Sequence, residues 1–269
     1  MIWNAKNGEV KLGNTKMSFV SFGYGSRALI LLPGLSDGLM TVKGKALMLA
    51  KPYRPFFDRY TVYLFSRKDD MPEGCSIRDM AGDQAGAMAA LGCEKACVMG
   101  VSQGGMIAQY LAIDHPELVE KLVLVVTAPG PNPMIRECVR RWTGFARQGD
   151  HKKLMIDTAK RSYSPEYLSK YRKLYPVLGW MGKPASYDRF LINANAILGF
   201  DARKELHRIH CPTFIIGGEE DRTVGVQASY EMKERIAGSK LHIYPGLGHG
   251  VYEEARDFPQ RVLGFLEAP

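Results

Sequence analysis

No apolar run in this sequence approaches the roughly 18 to 20 residues that a bilayer-spanning helix requires. Its longest apolar stretches, such as Ala28 to Pro33, are strand-sized, which excludes a helical membrane span. The segment Met1-Ile2-Trp3-Asn4-Ala5-Lys6-Asn7 lacks the basic flank and apolar segment of a secretory leader, so a cytoplasmic protein is expected. The five cysteines, Cys75, Cys93, Cys97, Cys138 and Cys211, are odd in number and show no C-x-x-C pairing. That argues against a disulfide framework and against a zinc site; reduced thiols and no bound metal are expected. Repeats and biased tracts are also missing, which removes solenoids and disordered tails from consideration.

What is present is an ordinary folded composition, 46% hydrophobic and 24% charged, over 269 residues, enough for one large core with an insertion. The net charge of +8 is local. Between Pro131 and Lys183 there are 12 Lys/Arg against 4 Asp/Glu, and the rest of the chain is balanced at 24 of each sign. The basic segment has no nucleic-acid-binding motif, and its charges fall at spacings that suit solvated helix faces. Attraction of acidic substrates, or of a polyanion or membrane surface, are the alternative uses of such a charge. No nucleic-acid partner is expected, and no feature speaks to oligomeric state.

The first 25 residues alternate around Gly13-Asn14 and read as a β-hairpin. Short apolar runs at Ala28 to Leu32, Tyr60 to Phe65, Ala96 to Met99, Lys121 to Val126, Thr213 to Ile216 and Lys240 to Tyr244 read as strands buried on both faces. Helical patterns separate them: Gly44 to Ala50, Ser76 to Leu91 with Asp79 set for a capping box, Gly104 to Ile113, Gln227 to Ala237, and a closing helix from about Glu253 to Leu266. This is the arithmetic of an α/β fold. The rhythm stops at Ala128-Pro129-Gly130-Pro131, and the Lys-, Arg-, Tyr- and Trp-rich stretch that follows reads as an inserted helical cap. The expected division is 1–130 and 206–269 for the α/β core and 131–205 for the cap.

Gly100-Val101-Ser102-Gln103-Gly104 is a G-x-S-x-G pentapeptide between an apolar strand and an apolar helix. In that context the glycines serve a sharp strand-to-helix turn that lifts a serine hydroxyl above the sheet, at a helix N-terminus that favours developing negative charge. A serine hydroxyl needs a base. Of six histidines, only His249 lies in a glycine-rich loop just past the last strand, in Pro245-Gly246-Leu247-Gly248-His249-Gly250. A carboxylate must orient that base, and Gly217-Gly218-Glu219-Glu220-Asp221 follows the preceding strand. Asp221, 28 residues before His249, is preferred to Glu219 and Glu220 because a shorter side chain suits a fixed hydrogen bond. The order Ser102, Asp221, His249 is that of an α/β-type serine hydrolase. Two oxyanion donors are expected from the backbone amides of Gln103 and Leu35, the latter in the loop Pro33-Gly34-Leu35-Ser36-Asp37-Gly38. Ser36 of that loop is a candidate substrate contact, and so are Trp142 and Trp180 among the cap aromatics Trp142, Phe145, Tyr163, Tyr167, Tyr171, Tyr175, Trp180 and Tyr187, for most of which helix-core packing is the competing role.

Together the elbow, the acid loop, the late histidine and the strand order resemble the α/β-hydrolase superfamily, specifically its small capped serine hydrolases, over essentially the whole chain. The resemblance implies an eight-stranded, mostly parallel sheet flanked by helices, with a helical cap over the active site and no cofactor. Small esterases, C-C bond hydrolases and cofactor-free perhydrolases share these features. Pro33-Gly34 stands where many relatives carry His-Gly, a departure from the H-G-x-G-P-G loop of the C-C branch. Serine at the elbow argues against the aspartate chemistry of haloalkane dehalogenases and epoxide hydrolases. The expected function is hydrolysis of an ester or related acyl bond in a small molecule. Acyl transfer, C-C or perhydrolase chemistry on the same triad, and a non-catalytic ligand-binding receptor of this fold, are the alternatives.

Overall fold

Alternating residues on either side of Gly13, at φ 59, form the hairpin of β1 (Lys6–Leu12) and β2 (Thr15–Phe22). The computed structural model describes residues 2–171, 177, 180 and 182–269. Six further strands follow: β3 (Arg27–Leu32), β4 (Tyr60–Lys68), β5 (Ala96–Val101), β6 (Val119–Val125), β7 (Thr213–Gly218) and β8 (Lys240–Tyr244). They form one eight-stranded sheet in the order β1-β2-β4-β3-β5-β6-β7-β8. The pairs β1/β2 and β2/β4 are antiparallel and all others parallel, so the expected sheet is the observed one.

The near-continuous apolar runs have a direct cause. Successive side chains on a strand point to opposite faces, and both faces of this sheet are covered. Ile30 and Leu32 face one core with Val98, Leu122 and Ile215, against α2 (Ile77–Ala90) and α3 (Gln103–Asp114). Leu29 and Leu31 face the other with Met99, Val123 and Ile216, where Phe258 and Val262 pack from the C-terminal helix. At the start of α2 the Ser76 hydroxyl accepts from the Asp79 amide at 3.1 Å, and Asp79 accepts from the Ser76 amide at 2.8 Å, completing a capping box.

Two shorter helices complete the core, α1 (Ala46–Ala50) after β3 and, later, α8 (Gln227–Arg235) between β7 and β8. Between β6 and β7 the described helices are α4 (Pro133–Arg147), α5 (His151–Ser162), α6 (Pro165–Tyr171) and α7 (Asp188–Gly199). On α4, Ile135, Val139, Trp142 and Ala146 recur at helical spacing and are buried, while Arg136, Arg140, Arg141 and Arg147 are exposed. Tyr175 and the side chain of Tyr171 lie outside the described residues.

One expectation is corrected. In place of a continuous closing helix from about Glu253 there are α9 (Val251–Glu254) and α10 (Phe258–Glu267). Pro259 is the reason: without an N–H and with a ring that collides with the carbonyl four residues earlier, proline is accepted only in a first turn, so a new helix begins at Phe258.

Ser76→Ala removes one half of the capping box. It is expected to lower stability by about 1 kcal/mol, read as a shift in the urea midpoint with an unchanged slope.

Candidate active site

Strand β5 ends and α3 begins across one residue, Ser102, which sits at φ 55, ψ −119. A non-glycine residue there is strained by about 1–3 kcal/mol and persists only where its surroundings over-determine it. Here the Ser102 amide donates to Val125 O at 2.9 Å, and the Ser102 carbonyl accepts from the Gly105 amide at 2.9 Å and from Thr127 Oγ1 at 2.7 Å. The glycines are sterically required. A Cβ on Gly104 would lie 1.9 Å from Leu32 O, and one on Gly100 would lie 2.4 Å from Gly104 O. Gly105 and Thr127 were not singled out by sequence, yet a Cβ on Gly105 would lie 2.6 Å from the Thr127 side chain. The doubled glycine after the elbow was the available signal.

Beyond β7, Asp221 is buried and each of its oxygens is occupied. Oδ1 accepts from the amides of Thr223 at 2.8 Å and Val224 at 2.9 Å, and Oδ2 lies 2.8 Å from His249 Nδ1. An ionised carboxylate only accepts, so Nδ1 carries the proton and Nε2 is left with its lone pair. Burial alone would raise the Asp221 pKa. The charge and hydrogen bond of His249, with the two amides, outweigh it and hold the carboxyl below its ordinary value. Glu219 and Glu220 are exposed and engaged elsewhere, Glu219 accepting from the Gly246 amide at 2.9 Å and Glu220 pairing with Arg222 at 3.6 Å.

The histidine loop is pinned on both sides. The Glu220 amide donates to Leu247 O at 2.9 Å, and the Gly250 amide donates to Ser162 O, at the end of α5, at 2.7 Å. A Cβ on Gly250 would lie 2.4 Å from the Tyr163 ring, which explains why this loop is glycine-rich. Asp221 and His249 are thus in direct contact, and Ser102 stands on the same C-terminal rim: the Ser102 amide bonds β6 at Val125, and the Val126 amide bonds β7 at Ile216 at 2.8 Å. Among the described residues no side-chain hydrogen bond yet joins Ser102 Oγ to His249, a distance that in such sites commonly closes only with substrate bound. His207 and His210 are exposed, His115 is half-buried, and His242 packs on Tyr244.

The loop after β3 crosses directly over the elbow, where a Cβ on Gly34 would lie 3.3 Å from Ser102 Cβ. Leu35 opens a single helical turn, Leu35–Gly38, and Gln103 opens α3. First-turn amides have no acceptor within their own helix, which leaves both N–H groups available to an anion. Beside them lies a cavity of about 290 Å³ lined by Gly34, Ser36, Val101, Tyr53 and Tyr252 among others. A second, of about 450 Å³, shares Val101, Tyr53 and Tyr252 and adds Tyr167.

Two of the candidate substrate contacts stand apart from these cavities or open to solvent. Trp142 lines neither cavity. It falls on the buried stripe of α4, where its Nε1 donates to Asp157 Oδ2 of α5 at 3.0 Å. Trp180 is 84% exposed. The residues missed by sequence are those lining the cavities from the core side, such as Tyr53 and Tyr252, and a buried Arg67 bonded to Pro33 in the loop after β3. Among the described residues no helix is long and apolar enough to cross a membrane, and no group of three His, Cys, Asp or Glu is arranged to hold a metal.

An elbow serine, a histidine–aspartate pair and a mostly parallel sheet define a class, and comparison with known proteins agrees. Residues 58–255 match the family described as alpha/beta hydrolase fold, and the chain belongs to that family. It is 27% identical over 245 residues to a putative carbamate hydrolase RutD of Caulobacter sp. (strain K31), covering 86% of this chain and 89% of that protein. It is 31% identical over 199 residues to a 2-hydroxy-6-oxononadienedioate/2-hydroxy-6-oxononatrienedioate hydrolase of Pseudomonas sp., covering 70% of each. In fold it is similar to a hydrolase from Pseudomonas aeruginosa PA01, with TM-score 0.84 at 20% identity over 98% of this chain and 99% of that one.

Gly104→Ala is expected to cost about 3 kcal/mol or more, or to prevent soluble folding, because the clash is with the backbone of Leu32 and Pro33, which has no flexible end to move aside; a denaturant midpoint near that of the unsubstituted protein would contradict the steric reading. The depressed Asp221 pKa makes a second prediction. Its contribution to stability is full above the ordinary carboxylate value of 3.8 and is lost as pH falls below it through the folded-state value. Asp221→Asn should therefore flatten the acid limb of a stability–pH profile measured by urea unfolding.

Proposed function

We propose that this protein is a serine hydrolase that cleaves an ester or related acyl bond of a small molecule through an acyl-enzyme on Ser102. The observation that carries the reading is the buried 2.8 Å contact of His249 Nδ1 with Asp221 Oδ2 on the rim that holds the strained Ser102. Substrate entering the cavity beside Gly34 and Val101 presents its carbonyl to Ser102 Oγ. As the Oγ–C bond forms and the carbonyl π pair moves onto oxygen, His249 Nε2 takes the hydroxyl proton. Asp221 stabilises the imidazolium without becoming protonated. The amides of Leu35 and Gln103 receive the oxyanion. His249 then delivers its proton to the departing oxygen as the C–O bond breaks, and repeats both transfers with water to release the acid and regenerate Ser102. In this reading the helices between β6 and β7 act as the cap that roofs the cavity, and Ser36 is a polar contact at its mouth.

The relatives' names fit hydrolysis, and the 31% identity to the 2-hydroxy-6-oxononadienedioate/2-hydroxy-6-oxononatrienedioate hydrolase favours a second reading, in which that kind of substrate replaces the ester. A panel of p-nitrophenyl esters of graded acyl length, run beside a 2-hydroxy-6-oxo dienoate, separates the two.

A fluorophosphonate probe is expected to label Ser102 in the folded protein, and Ser102→Ala to lose both labelling and turnover. Asp221→Asn, which removes the acceptor that fixes the tautomer, is expected to lower kcat about a thousandfold or more with little change in KM. Unimpaired turnover by Ser102→Ala would overturn the reading.

A further inference from the structure

Arg67, near the end of β4, is 2% exposed, and a buried guanidinium costs several kcal/mol unless its surroundings answer it. Its partners are telling. Nη2 donates to Pro33 O at 2.7 Å and to Gln103 Oε1 at 3.0 Å. Pro33 leads into Gly34 and Leu35, while Gln103 carries on its own backbone the other expected oxyanion donor. One nitrogen therefore bridges the two segments whose separation determines whether two amides can converge on a single oxygen.

The bridge is itself braced. The Arg67 amide donates to Asp37 Oδ2 at 2.9 Å, and Asp37 Oδ2 also accepts from Arg189 Nη2 of α7 at 3.0 Å. The same Arg189 nitrogen donates to Arg67 O at 2.8 Å, and Gln103 Nε2 donates to Asn193 O of α7 at 2.7 Å. Asp37 thus spends its paired oxygen on a backbone amide and on Arg189, and no described carboxylate bonds the Arg67 guanidinium, whose Nε and Nη1 are buried without a partner. Burial draws its pKa down to about 10, which still leaves it charged at neutral pH. Of the neighbouring charges, Asp37 favours the charged guanidinium and Arg189 opposes it.

We propose that Arg67 is a positioning residue of the oxyanion hole, setting the spacing of the Leu35 and Gln103 amides by clamping Pro33 O and the Gln103 side chain together. The inference rests on Ser102 as nucleophile. A role confined to holding the fold would change stability and leave turnover per folded molecule alone; a positioning role changes kcat and the binding of a tetrahedral adduct together, because only those states carry charge on the oxygen.

The test uses Gln103→Met, which keeps the residue 103 amide and side-chain volume while breaking the clamp, beside Arg67→Met and Arg67→Lys. Each is assayed for kcat and KM on p-nitrophenyl butyrate and for inhibition by phenylboronic acid, whose boron becomes tetrahedral and anionic when Ser102 Oγ adds to it. The expected result is a kcat lower by about 10- to 100-fold, KM within about twofold, and boronate affinity reduced by the same factor as kcat, with Arg67→Lys between Arg67→Met and the unsubstituted protein. A folded Gln103→Met whose kcat and boronate affinity both stay within about twofold overturns the inference, and it decides the matter even if the Arg67 variants do not fold. Ser102→Ala keeps the two readings apart: turnover lost there but undisturbed in Gln103→Met sinks only the clamp, whereas turnover surviving in Ser102→Ala sinks the reading beneath it. Should no ester be turned over, the rate at which a fluorophosphonate labels Ser102 replaces kcat. Equal rates in all variants overturn the clamp, and no labelling of the unsubstituted protein overturns both.

Discussion

A serine held at φ 55 is the constraint on which the rest of the molecule depends. Left to itself the peptide would relax and carry the hydroxyl away from the rim. What prevents this is a set of contacts that only a twisted, fully covered parallel sheet supplies: the Val125 carbonyl beside the Ser102 amide, Thr127 and Gly105 on the Ser102 carbonyl, and the Leu32 carbonyl so close to Gly104 that no side chain fits. Val126, a β-branched residue at φ 42, shows that the neighbouring strand end is bent in the same service, since it turns Thr127 back beneath the elbow.

Charge at the site is managed differently on its two sides. Asp221 is buried with both oxygens occupied, which keeps it ionised and its partner imidazole in one tautomer. On the other side Arg67 and Asp37 are both buried, and Asp37 bonds Arg189 and the Arg67 amide while no described carboxylate bonds the Arg67 guanidinium. The excess charge of the helices beyond β6 is a separate matter. Arg141 and Arg161 converge on Asp157, Arg161 reaches Glu137, and Arg136, Arg140 and Arg147 stand on the solvent face of α4. Among the described residues, no Lys or Arg of this segment lines the two cavities beside Ser102.

Much of this was legible in the sequence because it is local. A strand buried on both faces needs an apolar run, and an elbow needs glycines at fixed offsets. The order of the three chemical residues follows from where those elements end. What was not legible depends on distant partners. Arg67 looks like any basic residue at the end of a strand, and its surroundings come from Pro33, Asp37, Gln103 and Arg189, scattered across the chain. Trp142 had two roles open to it in the sequence, substrate contact and helix-core packing, and its place on the buried stripe with Ile135 and Val139 accords with packing. The break between α9 and α10 needed only the rule that proline begins helices, with Pro259 in plain view.

The same contacts limit how the inserted helices can move. At one end the α5–α6 junction is fastened to the segment after His249, through the Gly250 amide on Ser162 O at 2.7 Å and the Ser164 amide on Glu254 at 3.0 Å. At the other end α7 is fastened to the loop after β3 and to the elbow, through Arg189 on Asp37 and Asn193 O on Gln103. Swinging these helices away from the sheet as one body would break both attachments, freeing the loop of His249 and the loop after β3 in the same motion. The junction at Ser162 to Ser164 and α7 are thus tied to the same rim that carries Ser102, Asp221 and His249.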